Sequence, residues 1–452
     1  MKKYEKYKET DQSWISPVPA HWEYVRAKRL FDNPKEKNIG NKESNILSLT
    51  LKGVINNDKD NPIGLSPSDY ATYQIFEKDD LVFKLIDLEN ISTSRVGIVP
   101  ERGIMSSAYI RFSAREEINI RYFYMQYYDW WLRHIFNGLG AGVRQTLSAA
   151  DLLNIKIVVP PREEQDQIVR FLDYKISKIN SLIKGYQKQI KLLEEQKAVK
   201  INAIVHQGLS TSVKFKDTHI DYIGCIPEHW KILQNHRLYK SVHRKFENDE
   251  TVLSLSQKDG LIPYSEMNER TLHTASYENW QLVQPNDLVL NRFKAHLGVF
   301  FSSQYRGIVT FHYGVYEPQI PLYSKYYEAL YHTDLYRKVY AGQSKGMTVG
   351  LQNLSDMDFY TVYTIYPPYN EQVEIVSKIN DIERIHLHSK NNIQKEIDLL
   401  REYRTRLISD VVTGQIDVRD EVIPEYTAVE DEPEQTEENE ENNPLEDEEE
   451  NI

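Results

Sequence analysis

Three glycines alternate with small apolar residues in "GLGAGVRQTL", Gly138 to Leu147. That composition suits a loop folded around the phosphates of a nucleotide or around a nucleoside cofactor. Such a loop needs a strand before it and a helix N-terminus after it, because helix-end N–H groups and close glycine backbone together hold the ligand. Here the preceding "YFYMQYYDWWLRHIFN" has the length of a helix and no strand alternation, and "LSAADLL" and strand-like "NIKIVV" follow. The order is wrong for a cofactor cradle. No G-x-x-x-x-G-K-[ST], no H-E-x-x-H and no nuclease-like carboxylate cluster occurs in the chain. His386 and His388 lie two apart on an expected helix and so face different ways, which makes a metal pair improbable. The expectation is a chain with no catalytic residue and no metal site.

The chain is also written twice. "VPAHWEYVRAKRLF" (18–31) returns as "IPEHWKILQNHRLY" (226–239), and "NILSLTLKG" (45–53) as "TVLSLSQKDG" (251–260). "DDLVFK" (79–84) returns as "NDLVLN" (286–291), and "VVPPREEQDQIV" (158–169) as "IYPPYNEQVEIV" (365–376). "LLEEQKAVKINAIV" (192–205) returns as "LLREYRTRLISDVV" (399–412), at an offset that stays between 206 and 208 throughout. This is a tandem duplication of a domain-sized unit. It tests two lures. The glycine loop's counterpart, "GQSKGMTVGL" (342–351), puts Ser344 where Gly140 stands. "YPPYN" (366–370) approaches the Asn/Asp-Pro-Pro-aromatic motif that holds a target amino group in amino-methylating enzymes. That motif needs an amide or carboxylate first; Tyr366 stands there, and the sister copy reads "VPPR".

Each copy opens with β-like runs ("NILSLTL", "DLVFKLI", "SSAYIRF", "NIKIVVP") interleaved with aromatic-rich helical ones, an α+β domain. A double proline followed by Glu and Gln then starts a long polar helix, since proline is tolerated in a first turn and carboxylates there favour the dipole. Leu172, Ile176, Ile179, Ile183, Tyr186, Ile190 and Leu193 step by four and three, a narrow coiled-coil seam. The second helix keeps Val376, Ile379, Ile393, Ile397, Leu400 and Leu407. Some 44 residues of helix span about 66 Å, and the seam of each helix needs a partner, most simply the other. Two tandem α+β domains separated by two long antiparallel coiled-coil helices, with pseudo-twofold symmetry, are expected. The expected boundaries are 1–159, 160–209, 210–366, 367–419 and 420–452.

Charge separates the last segment. From Asp420 onward there are 16 acids and no Lys or Arg, which leaves 51 acids against 55 bases in the body, a net of +4. A slightly basic body is compatible with nucleic acid although the whole-chain charge of −12 argues against it. The tail is too polar and self-repelling to build a core, so residues 420–452 are expected to be disordered. The single Cys225 excludes an internal disulfide framework and a cysteine-rich zinc site. The chain lacks a signal-peptide pattern and any apolar run of membrane length, so a cytoplasmic protein is expected.

The doubled, ordered set formed by "PAHW"/"PEHW", "DDLVFK"/"NDLVLN", the glycine-loop-to-"PPREEQ"/"PPYNEQ" passages and the long closing helices resembles the DNA-specificity subunit of type I restriction-modification systems. The resemblance runs to about Arg419. It implies a non-enzymatic subunit whose two target-recognition domains each read one half of a split double-stranded DNA sequence. It also implies that two methylation subunits dock on the helices and that restriction/translocation subunits join them. No cofactor is expected on this chain; the methyl donor, ATP and magnesium would belong to the partners. Because the two copies differ outside the shared framework, the target should be asymmetric. Arg and Gln can read base edges bidentately, and Lys, Ser and Thr commonly take phosphates. The DNA-contact candidates are accordingly Lys84, Arg95, Arg144 and Gln145 in the first domain, and Arg292, Lys294, His296, Gln343 and Lys345 in the second. "HRKF" (243–246) adds basic and aromatic character. The alternative is a coiled-coil scaffold whose globular domains bind protein.

Overall fold

Runs such as Leu47-Ser48-Leu49-Thr50, with alternate residues buried, form half-buried strands because successive side chains on a strand point to opposite faces. The computed structural model describes residues 2–58, 69–86, 88, 94–139, 146–210, 212–246, 250–256, 260–267, 277, 279–348 and 351–430. The chain divides into two units, Met1–Gln187 with Gln394–Ile452, and Lys188–Ile393.

In the first unit a four-stranded antiparallel sheet runs in the order Phe31–Asp32, Ile110–Ala114, Leu81–Phe83, Val96–Ile98. Antiparallel pairs Gln74–Phe76 with Gly103–Met105, Leu47–Thr50 with Gly53–Asn56, and Glu23–Arg26 with Lys156–Val159 accompany it. The aromatic segment forms the helix Ile120–Leu132, started by Asn119, whose side chain accepts from the N–H groups of Arg121 and Tyr122. Its buried face sets Tyr127 edge-on to Phe83 at 5.0 Å and Phe123 edge-on to Phe31 at 5.4 Å. Buried Arg111 donates to buried Asp80 at 2.5 Å and to the Ile75 carbonyl, so neither charge is left unpaired.

The second unit repeats these pairings. Its sheet order is Tyr239–Ser241, Tyr313–Pro318, Leu288–Asn291, Phe300–Ser302. Gln281–Val283 pairs with Gly307–Val309, Leu253–Ser256 with Gly260–Pro263, and Lys231–Gln234 with Tyr363–Tyr366. Tyr326, Tyr327, Tyr331, Tyr336 and Tyr340 are fully buried with Phe300 and Phe359. Burying a phenol needs an acceptor, and several find one: Tyr326 donates to the Val205 carbonyl at 2.7 Å and Tyr331 to Asn235 at 2.9 Å. Asp287 takes Arg244 here, so the position matching Asp80 keeps its carboxylate while the arginine comes from the irregular segment after strand Tyr239–Ser241.

The long helices are Arg162–Gln207 and Tyr369–Val412, of 46 and 44 residues. In the first unit the end of the second helix meets the start of the first. Gly414 packs against Pro19 and Trp22, Trp22 bonds Glu164, and Arg404 donates to Asn180 at 2.8 Å. In the second unit Gly208 packs against Trp230, Trp230 bonds Glu371, and Lys390 pairs with Glu194 at 2.6 Å. Within each unit the two helix segments thus run in opposite directions. Leu172, Ile179, Ile183, Ile379, Ile397 and Leu407 are buried; Ile176, Tyr186, Ile190, Leu193, Ile393 and Leu400 are half-buried. Among the described residues no helix is long and apolar enough to cross a membrane.

The acidic tail departs from expectation over its first part. Residues 420–430 run extended along the first long helix instead of leaving it. Gln167 donates to the carbonyls of Val418 and Glu421, Ser177 exchanges bonds with Thr427 and Val429, Asn180 donates to Val429, and Tyr426 lies edge-on to Tyr174. Composition missed this because the contacts use the strap's backbone, which every sequence carries. The acids from residue 431 onward lie outside the described residues.

Candidate nucleic-acid interface

The motifs that repeat most closely turn out to be joints. Glu164, in the first turn of its helix, accepts from the Trp22 indole at 2.8 Å and the Tyr4 hydroxyl at 3.1 Å, and bonds His21 at 2.6 Å. Glu371 does the same for Trp230 at 2.9 Å and His229 at 2.7 Å. The neighbouring glutamine folds back on the double proline: Gln165 donates to the Pro160 carbonyl and Gln372 to the Pro367 carbonyl, both at 2.8 Å. Each also accepts from the backbone ahead of an aromatic helix, at Asn119 and Tyr323. "HW" and "PPxxEQ" therefore lock an α+β fold onto the head of a long helix. Each carboxylate is held by donors on both of its oxygens.

The second unit gathers most of the candidate contact residues around one turn. Strand Leu288–Asn291 passes into the 3-10 turn Arg292–Leu297, which starts on Asn291; its side chain accepts from the N–H groups of Phe293 and Lys294. The turn ends at Gly298, whose φ of +79° is left-handed and suits glycine. Arg292 pairs with Asp356 at 2.7 Å, and Asp356 also accepts from Tyr316. Lys294 is exposed; His296 is half-buried, and burial holds its imidazole below the ordinary histidine range. The counterpart of the glycine loop is a hairpin, Lys345–Thr348 with Leu351–Asn353, and the residue after it, Leu354, bonds the Arg292 carbonyl. Gln343, exposed at the end of helix Asp334–Gln343, leads into that hairpin, and Lys345 begins it. The structure thus brings Arg292, Lys294, His296 and the Gln343–Lys345 segment into one neighbourhood.

In the first unit Lys84 follows strand Leu81–Phe83, and Leu147, at the end of the glycine loop, bonds the carbonyl of Leu85. Arg95 is a correction. Only 2% of it is exposed, and its guanidinium donates to the carbonyls of Lys84 and Ile86, so it shapes the loop instead of presenting charge to a phosphate. The sequence could not show this because an arginine satisfied by backbone carbonyls reads like a surface one. Arg144 and Gln145 lie outside the described residues. A Cβ at Gly138 or Gly342 would meet nothing within 4 Å, so neither glycine is required by close packing. In "HRKF", Arg244 is drawn into pairs with Asp287 and Glu317.

Sequence reasoning missed Phe311 and His312. Both are exposed, their ring centroids are 3.9 Å apart, and His312 lies 6.2 Å from Phe293 in the Arg292–Leu297 turn. The signal was the contrast between copies: "SSAY" (106–109) against "TFHY" (310–313) on otherwise matching strands. Among the described residues no group of His, Cys, Asp and Glu could hold a metal ion.

Residues 19–192 match the family model of the type I restriction modification DNA specificity domain. The putative type I restriction enzyme MjaX specificity subunit of Methanocaldococcus jannaschii is 30% identical over 101 residues, 22% of each chain, so the match spans about a fifth of that relative. A chain solved in work on complex assembly and conformational transition of the type I R-M system aligns with a TM-score of 0.62 at 13% identity, over 88% of this chain and 99% of its own. The HsdS subunit from Thermoanaerobacter tengcongensis aligns at 0.48 and 13% identity, over 90% and 100%. At 13% identity the first of these likenesses is one of fold.

Proposed function

The chain is a member of the type I restriction-modification specificity family, whose DNA specificity domain occupies residues 19–192, and from that premise we propose that it selects a split, asymmetric DNA sequence for partner subunits. Residues 1–159 and 210–366 are the two readers, one per half-site. The observation that carries this is the recurrence of one framework with different exposed residues. The two sheets share strand order, both "HW" joints bond a helix-head glutamate, and the tips and loops between the strands differ. A conserved frame sets where each reader sits, and its variable surface sets what it reads.

The chemistry of reading follows from the residue types. Lys84, Lys294 and Lys345 supply charge to phosphates, which positions the protein without selecting sequence. Arg292, Gln343 and, in the first reader, Arg144 and Gln145 are of the types that bond base edges in pairs. The paired helices carry two methylation subunits, with restriction/translocation subunits joining that complex. The methyl donor, ATP and magnesium are held by the partners, and the assembly acts in the cytoplasm where the DNA is. The test is binding of the full chain, with its methylation subunits, to duplex DNA over a range of salt. Affinity should fall steeply and log-linearly as counterions are restored, and one split sequence should outcompete random DNA. Salt-insensitive or sequence-blind binding would return the chain to a protein-binding scaffold.

A further inference from the structure

We propose that the turn Thr310–Tyr313 presents Phe311 and His312 as base-contacting, specificity-determining residues for the half-site read by the second unit; this rests on the DNA-reading function proposed above. The two units build this turn with the same supports. In the first, the Tyr109 N–H closes on the Ser106 carbonyl at 3.0 Å, and Gln74, 6% exposed, donates its amide to the Tyr109 carbonyl. In the second, Tyr313 closes on Thr310 at 3.2 Å, and Gln281, 4% exposed, donates to the Tyr313 carbonyl at 2.7 Å. A buried glutamine amide held by a turn carbonyl fixes the backbone, because releasing it would leave a polar group unpaired in the interior.

On that common support the tips diverge. The first unit exposes Ser107 and Ala108; the second exposes Phe311, at 52%, and His312. Packing does not demand the ring, since the first unit closes the same turn with small residues. Tyr313 also pairs with Asn291, whose side chain starts the Arg292–Leu297 turn, so the aromatic tip and the cationic turn share one anchor. His312 has its ring 3.9 Å from that of Phe311 and 6.2 Å from that of Phe293. An exposed aromatic on a braced turn, with the exposed Lys294 in the Arg292–Leu297 turn that shares its anchor, matches duplex DNA, where phenylalanine contacts thymine methyls or wedges at base steps and lysine takes phosphate. His312 can donate to or accept from a base edge.

The experiment is selection of bound duplexes from a randomised pool by the full chain with its methylation subunits. Wild type should recover a split motif. The double variant F311S/H312A, which writes the first unit's tip into the second, should relax at least one base position by about 10-fold in one half of the motif and leave the other half unchanged. F311L, which keeps apolar bulk without the ring, should relax it less. The unchanged half reports that the complex is folded and loaded on DNA. Recovery of the wild-type motif by the double variant would overturn the inference while leaving the DNA-reading function standing. Equal relaxation of both halves would overturn it also, as a sign of a general structural role. Absence of a split motif with wild type would instead remove the DNA-reading function, and the inference with it.

Discussion

Glu164 shows how much of a joint one carboxylate can hold. It holds three donors, one of them the fully buried Trp22 indole, and leaving a buried N–H unpaired costs about 1–3 kcal/mol. Glu164→Ala should therefore lower stability by roughly that much, read from urea unfolding followed at tryptophan fluorescence. An unchanged midpoint would show that water replaces the carboxylate. His206 gives a pH dependence. Burial pushes its pKa down to about 4, and its ring stacks on Tyr336. Between pH ~4 and the ordinary value near 6.5, the unfolded chain binds a proton that the folded chain refuses. Stability should fall as pH drops through that window, by up to about 1.4 kcal/mol per unit from this group, and the loss should level off below pH ~4. His206→Phe, which keeps the stacked ring, should flatten that slope in thermal unfolding across pH 4–7; an unaltered slope would assign it to other groups. Residue roles of this kind were the least legible in the sequence. Arg95 reads as a surface cation until its carbonyl partners are seen, and Phe311 draws no reading at all until its exposure is seen.

At the scale of elements the sequence was more informative, because periodicity and chain direction act over many residues. The steps of three and four predicted the long helix, and it runs unbroken from Arg162 to Gln207. Strand runs were legible by alternation, and their pairing by the repetition of the whole set. The docking of the strap was not legible, since it depends on two polar residues, Ser177 and Asn180, that interrupt an apolar surface and stay buried at 6% and 3% exposed. Their partners are the carbonyls of Thr427 and Val429, the N–H of Val429 and the Arg404 guanidinium. Truncation after Arg419 should uncover them and destabilise the first unit by about 2–6 kcal/mol, the net value of the four hydrogen bonds the strap makes to Gln167, Ser177 and Asn180. Truncation after Glu430, which keeps every one of these bonds, is the control. Equal stability of the two shortened chains would show that the strap contributes nothing.

Across the whole molecule, the function proposed above rests on a frame repeated and a surface varied. Two strand sets of one order, two helix-head joints and two glutamine-braced turns are shared between the units. The differences are concentrated on tips, loops and cations, where a binding surface can change without cost to the core. This explains why the doubled frame and the motifs that carry the family resemblance were readable in the sequence whereas the individual contacts were not. Spacing is fixed by packing, but a contact depends on which of many exposed groups meets the ligand. The most direct test is a map of modified bases in cells expressing the chain with the methylation subunits proposed above, for wild type and for a chain whose residues 1–158 come from a relative. One split sequence should be modified by wild type, and the exchange should rewrite one half of it and leave the other intact. A map in which both halves change, or neither does, would contradict two independent readers on one frame.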